Sequence, residues 1–386
     1  MDTRATRHRA NGRQMIDLGR PRRHPTLEIV SAETYEFCVS VRVAFASADD
    51  AFTDFDVGRA WVEAARARCA ARDPEAFATL GLYVGADRPE SLDGSVLSLV
   101  HRAPEPRTVP TFLTWLATFP ADQLVGLLLD QMGLGPGWPA TLAAALAAPQ
   151  DDECLAPVLK HYDIDQWPTV RAALAEPEEV RRRLVEALHV WYEAVFKAEI
   201  PRIMPMVERE RAALERLRDA KSARGFIEAA MHGVQWDRTE ANRIVFVPSY
   251  FARPAVFYHL WGDVLTFCLP VDDTRVDPMT AARDPHQPSP DMLRFFEALG
   301  DNTRLRILRL LAAKEMYLTE LADSLGLKKP TIKFHMVKLR VAGLVILHDR
   351  GRLTYYELRT DGPRRARDLL AGYLGLPRRE LAPPVE

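Results

Sequence analysis

The chain has 386 residues, of which 47% are apolar and 27% charged, with a formal net charge of −2. That length suits two or three domains of ordinary globular composition. Four scattered cysteines (Cys38, Cys69, Cys154 and Cys268), none at metal-ligand or CxxC spacing, exclude a disulfide framework and point to thiols in a reducing compartment. The small net charge hides an asymmetry. Residues 291–386 carry 18 Lys and Arg against 12 Asp and Glu, a net of +6, which leaves 33 against 41 elsewhere, a net of −8. Positive charge is therefore concentrated at the C-terminal end, where a nucleic acid would be met, and the acidic remainder is not expected to bind DNA.

Residues 1–24 are arginine-rich without apolar rhythm and are expected to form a disordered basic tail, with Met15 a candidate true start. No apolar h-region marks a secretory signal, and apolar stretches such as 124–129 and 255–269 are too short or too charged to span a bilayer. A cytoplasmic protein without a membrane partner is expected. Residues 26–31 (TLEIVS) alternate like a strand. From Ala32 to about Ala220 the pattern is mainly helical, with helices expected over 60–71, 111–117, 121–132 and 140–148 between Pro and Gly clusters. The strongest runs from Glu176 to about Ala198, with Val180, Leu184, Leu188, Trp191 and Val195 on one stripe. Pro201 and Pro205 are expected to break or kink the helical run beyond it. Residues 243–248 (RIVFVP) and 263–271 (DVLTFCLPV) read as strands, paired with each other across 249–262. The Pro- and Asp-rich stretch 272–290 reads as a linker. The divisions expected are thus 1–24, 25–271, 272–290, 291–376 and a tail, 377–386.

The stretch 316–358 is the most informative. Leu318, Leu321, Ala322 and Leu325 fall at i, i+3, i+4 and i+7 of one helix, and Gly326 ends it. Pro330 opens a second helix, expected over 329–342, whose inward stripe is Ile332, His335, Met336 and Leu339. A small Ala322, a glycine four residues on and Ile332 six further are what two crossed helices on a tight turn require. Lys328, Lys329, Thr331, Lys333 and Phe334 are left facing outward, with Lys338 and Arg340 further along. A helix N-terminus rich in cations and a hydroxyl suits phosphates and base edges. After Gly343 the period becomes alternating. Two strands, 344–348 and 353–358, are joined through Asp349, Arg350, Gly351 and Arg352, so Arg350 and Arg352 tip a hairpin that can reach flanking DNA.

On these residues, together with Phe296-Glu297-Ala298-Leu299-Gly300-Asp301, Thr303-Arg304-Leu305-Arg306-Ile307-Leu308 and Ala342-Gly343-Leu344-Val345, the segment 291–374 resembles the ArsR-type winged-helix family. The resemblance implies a dimeric DNA-binding transcriptional regulator whose second helix reads operator DNA, with helices over 291–299 and 364–374 as the dimer seam. Metal-sensing members place two cysteines where this chain has Tyr317 and Thr319, and no cysteine follows Cys268, so a thiolate metal site is not expected. The segment VPSYFARP (247–254) is similar to one in larger ArsR-type regulators, a resemblance that brings no activity with it.

The large region shows no G-x-S-x-G, Walker loop, G-x-G-x-x-G or H-E-x-x-H, so no catalytic residue and no cofactor is assigned. Asp49, Asp50, Asp54 and Asp56 form an acidic cluster read as a solvated loop in preference to a cation site. His161, Asp163 and Asp165 are read as a helix-capping loop in preference to ligands. Seven tryptophans (Trp61, Trp115, Trp138, Trp167, Trp191, Trp236 and Trp261), with Tyr250, Phe251, Phe257 and Tyr258, are read as core in preference to a ligand pocket. The fold expected is mainly α: a helix-rich N-terminal domain with a small β-element, then a winged helix-turn-helix (α+β). The partners expected are a double-stranded DNA operator, a second copy of the chain and a small-molecule effector. The rival readings are an enzyme with an appended winged-helix module and a protein-docking adaptor.

Overall fold

A computed structural model describes residues 25–46, 55–85, 88–92, 94–129, 138–230, 234–235, 242–261, 264–272, 286, 288–350 and 353–376. The first strand is β1 (Thr26–Ile29). Eleven α-helices then follow among the described residues: α1 (Glu33–Ala44), α2 (Arg59–Arg72), α3 (Pro74–Tyr83), α4 (Val109–Leu116), α5 (Ala121–Leu129), α6 (Trp138–Ala147), α7 (Asp152–Leu159), α8 (Trp167–Ala175), α9 (Pro177–Trp191), α10 (Ile200–Asp219) and α11 (Ala223–Ala230). The capping chemistry follows the sequence. Asp73, ahead of Pro74, accepts from the backbone N–H groups of Glu75 and Ala76 at 2.9 and 3.1 Å and starts α3. α1 is buried nearly all round, and its buried hydroxyls are bonded: Thr34 donates to the Arg107 carbonyl at 2.6 Å and Ser40 to the Phe37 carbonyl at 2.7 Å.

The long helix read from Glu176 to Ala198 ends earlier as an α-helix. α9 stops at Trp191, and residues Tyr192–Phe196 form a π turn closed by the Lys197 N–H to the Tyr192 carbonyl at 2.9 Å. Pro201 then takes the first turn of α10, where a missing N–H is harmless, while Pro205 lies inside it. Along α9, Val180, Leu184, Leu188 and Trp191 are buried, opposite Arg182, which is bonded to Glu179 and Glu186.

Next come β2 (Val234–Gln235), β3 (Arg243–Ser249), β4 (Phe257–Trp261) and β5 (Val264–Pro270). A four-stranded sheet has the order β1-β3-β5-β4. β3 and β5 are neighbours, as the sequence suggests, but they run parallel, with Ile244 opposite Leu265 and Phe246 opposite Phe267. The hairpin partner of β5 is β4. The reason is burial on both faces, which favours parallel, continuously apolar strands. Ile244, Phe246, Leu265, Phe267 and Leu269 face Leu214 of α10 and Phe226 of α11. Val245, Val247, Val264 and Cys268 face the main helical core with Trp191, Phe196 and Phe251. Four of the seven tryptophans are in or against the core: Trp191 is fully buried with its indole N–H on the Ser40 hydroxyl at 3.0 Å, and Trp61, Trp115 and Trp167, partly buried, pack against the same cluster.

The C-terminal part comprises α12 (Pro290–Leu299), α13 (Asn302–Leu311), β6 (Met316–Tyr317), α14 (Leu318–Leu325), α15 (Lys329–Val341), β7 (Val345–Arg350), β8 (Leu353–Leu358) and α16 (Gly362–Tyr373). Its own core gathers Phe295, Ile307, Leu311, Leu321, Ala322, Ile332, Met336, Leu339 and Val345. A second sheet has the order β2-β7-β8-β6. The chain is therefore mainly helical, with an α+β winged helix-turn-helix at its C-terminal end. No single helix among the described residues is long and apolar enough to cross a membrane.

Candidate nucleic-acid interface

The corner between α14 and α15 sets the site. Gly326 takes φ +67°, ψ +32°, the left-handed conformation that stops a helix without a Cβ penalty. The Leu327 N–H then reaches back to the Ala322 carbonyl at 3.0 Å. Lys328 is extended and makes no side-chain cap, and Pro330 sits in the first turn of α15. A lysine has no oxygen to offer the helix, so its ammonium is left for solvent or a phosphate. Lys328, Lys329, Thr331, Lys333 and Phe334 are all exposed, while Lys338 and Arg340 are half-buried. Ile332, Met336 and Leu339 point into the core, which fixes the rotation of α15 and turns the cations outward.

His335 lies between the two faces. Its Nδ1 is 3.6 Å from an Asp301 carboxylate oxygen, and burial, opposed by that carboxylate, lowers its pKa below the usual histidine value. Asp301 caps α13 by accepting the Arg304 N–H at 2.8 Å, and that bond above all holds its carboxyl below the ordinary range. Arg304 closes the end of α12 through the Ala298 and Glu297 carbonyls, at 2.8 and 2.6 Å.

After α15, Gly343 turns the chain at φ +67° into β7. β7 and β8 form an antiparallel hairpin from Val345 opposite Leu358 to Arg350 opposite Leu353. Arg350 ends β7, so its backbone lies at the hairpin's distal end. Arg352 falls outside the described residues, as do Asp49, Asp50 and Asp54 of the acidic cluster. The base of the hairpin is braced by Arg365 of α16, which donates to the Ala342 carbonyl at 3.3 Å and lies over the Phe295 ring at 5.5 Å.

Among the described residues, an ion-pair bridge and a strand pairing join this unit to the rest of the chain, and neither is foreshadowed by the sequence. Asp56 is half-buried between two guanidiniums: Arg294 of α12, bonded to Oδ1, and Arg253 of the VPSYFARP turn, 3.1 Å from Oδ2. The solvated-loop reading of Asp56 is corrected by these two ion pairs, which leave its side chain 12% exposed. β2 pairs in parallel with the first strand of the hairpin, Val234 opposite Leu347 and Gln235 opposite His348. Tyr258 of β4 lies close enough to Tyr356 of β8 to help raise the pKa of that phenol, though burial is the larger cause. The VPSYFARP turn is itself pinned by Glu36, fully buried, which accepts the N–H groups of Tyr250 and Phe251 at 3.1 to 3.3 Å.

Among the described residues no three His, Cys, Asp or Glu side chains gather closely enough to hold a metal ion. The Asp163 to Gln166 turn is a capping box, with the Asp163 N–H on the Gln166 side chain at 3.0 Å.

Two crossed helices on a glycine corner, followed by a hairpin and presenting an outward cationic helix, define a winged helix-turn-helix DNA-binding unit. Residues 301–346 match the family model described as "Bacterial regulatory protein, arsR family". The chain is 35% identical over 74 residues to the HTH-type transcriptional regulator KmtR of Mycobacterium tuberculosis, covering 19% of this chain and 57% of that protein. It is 33% identical over 89 residues to the arsenic resistance transcriptional regulator ArsR1 of Pseudomonas putida (23% and 70%). It is 35% identical over 69 residues to the transcriptional repressor SdpR of Bacillus subtilis (18% and 77%). The chain belongs to the arsR family of bacterial regulatory proteins. It spans a little over half the length of KmtR, and the family match itself covers residues 301–346. No solved structure matches the chain.

Proposed function

We propose that this protein is a cytoplasmic transcriptional regulator that binds a palindromic duplex operator as a homodimer. α15 lies in the major groove, with Lys328, Lys329, Thr331, Lys333 and Phe334 toward bases and phosphates and Lys338 and Arg340 on the backbone. The hairpin brings Arg350 and Arg352 to flanking DNA. The observation that carries this reading is the exposed, cationic N-terminal half of α15 on a chain whose remaining charge is net acidic. The dimer seam is α12 with α16. Leu293, Leu370 and Leu374 are 46%, 42% and 54% exposed there, an apolar surface that a second copy would cover. Two copies then present their recognition helices about one DNA turn, roughly 34 Å, apart.

Residues 25–271 serve as a sensing and assembly domain, joined through the linker 272–290, for a small-molecule effector. The Asp56 bridge and the β2–β7 pairing support a route by which that domain biases the dimer geometry. The relatives carry names of transcriptional regulators, which favours regulation over catalysis. The test is selection from a randomised duplex pool by the purified chain, with the mass of free and DNA-bound protein measured alongside. An enriched inverted repeat bound by two copies is expected. A pool left without enrichment, or one copy per site, would contradict the proposal.

A further inference from the structure

Phe334 is an apolar group on a cationic face. It is 46% exposed, and it lies on α15 among Lys329, Lys333 and Lys338, with Thr331 one turn before it. A single exposed apolar side chain needs no explanation in itself. This ring, however, is held. It stands edge-to-face with the His335 ring at 5.7 Å between centroids and 76° between planes, and the Lys338 ammonium stands 6.0 Å from its centroid. His335 is in turn fixed by burial beside Asp301. A phenyl group braced from below and from the side, yet open outward, is positioned for a partner of mixed character: anionic around its edge and apolar at one point. The floor of the DNA major groove offers one such apolar point, the C5-methyl group of thymine, set among phosphates that the flanking lysines would meet.

We infer that Phe334 is a specificity-determining residue that packs against the methyl group of a thymine in each operator half-site. This rests on the duplex-binding reading above. Its place in the N-terminal half of α15 is where a recognition helix comes closest to base edges. Thr331 and Lys338, at i−3 and i+4, share its ridge, which would set Thr331 beside the same base step and Lys338 on an adjoining phosphate.

The full chain selects duplexes from a randomised pool, and the recovered sequence is remade with deoxyuridine replacing thymine, one position at a time. Loss of a single buried methyl should weaken wild-type binding about fourfold at one thymine per half-site. Phe334→Ala should bind the thymine and deoxyuridine duplexes alike, and Phe334→Leu should keep part of the discrimination. Both variants should unfold at the wild-type temperature, since the ring is outside the core. Equal wild-type binding to both duplexes at every position, or full discrimination retained by Phe334→Ala, overturns the inference while leaving duplex binding intact. Recovery of no sequence at all overturns the duplex-binding reading, and this inference with it.

Discussion

Replacing Asp56 with alanine removes a carboxylate held between two guanidiniums at the junction with the winged helix. The three side chains are 12% (Asp56), 6% (Arg253) and 18% (Arg294) exposed, so water screens them little. Removing one partner of a buried pair costs about 3–5 kcal/mol, chiefly because a charge is left without its counter-ion. Here two like charges are left facing each other, but Arg294 keeps some contact with water, so about 3 kcal/mol is expected. Arg294→Ala leaves the Arg253–Asp56 pair intact and should cost less, about 1.5 kcal/mol for one charge-assisted bond. The double variant should be less damaged than the sum, because removing Arg294 relieves the repulsion that Asp56→Ala creates. A chain with several separate apolar clusters need not unfold in one step, so the assay is urea unfolding combined with hydrogen exchange of α12. Faster exchange in α12 with α5 unchanged is the expected pattern. Wild-type exchange in α12 of Asp56→Ala would refute the reasoning.

Two further predictions concern the fold. Gly326 and Gly343 both sit at φ +67°, yet a Cβ on Gly326 meets open space while one on Gly343 runs into the Arg365 guanidinium. Gly326→Ala should cost about 1–2 kcal/mol from backbone strain alone. Gly343→Ala should cost more, since Arg365 must also leave the Ala342 carbonyl. Equal urea midpoints for the two variants would count against the bracing role of Arg365. Burial pushes the Glu36 carboxyl up from 4.5 to about 7, partly opposed by the hydrogen bonds it accepts from Ser249, Phe251 and Tyr250. A folded-state value above the unfolded one means that the contribution is complete below about pH 4.5 and lost as pH rises through 7. Thermal midpoints measured from about pH 5 to 8 should therefore show a decline that Glu36→Gln lacks. A Glu36→Gln profile parallel to wild type would contradict this.

What the sequence made legible is what neighbouring residues decide. The spacing of Leu318, Leu321, Ala322 and Leu325, the glycine after them and the proline at the next helix start locate α14 and α15 nearly to the residue. The strands of the hairpin were visible for the same reason, as a change of apolar period. Partners distant in sequence were not visible. β1 joins β3 from the far end of the helical region, and apolar strands buried on both faces give no hint whether they pair in parallel or as a hairpin. Asp56 sat in an acidic run that reads as solvated, and its two arginines lie in separate parts of the chain. β2 has two residues, too few to show any period. At the interface, Lys328, Lys329, Thr331, Lys333 and Phe334 are outward as their helix phase implies. The ring contact that holds Phe334 needed coordinates, because it depends on how His335 is packed.

The central claim is that the exposed N-terminal half of α15 meets duplex phosphates. It is tested most directly by the slope of log affinity against log salt for the full chain on its selected duplex, measured for wild type and for the Lys329→Ala, Lys333→Ala double variant. With two ammonium groups no longer neutralising phosphates, the slope should flatten by about 2 and binding should weaken at every salt concentration, without a change in the preferred sequence. A double variant with the wild-type slope and affinity would contradict the account.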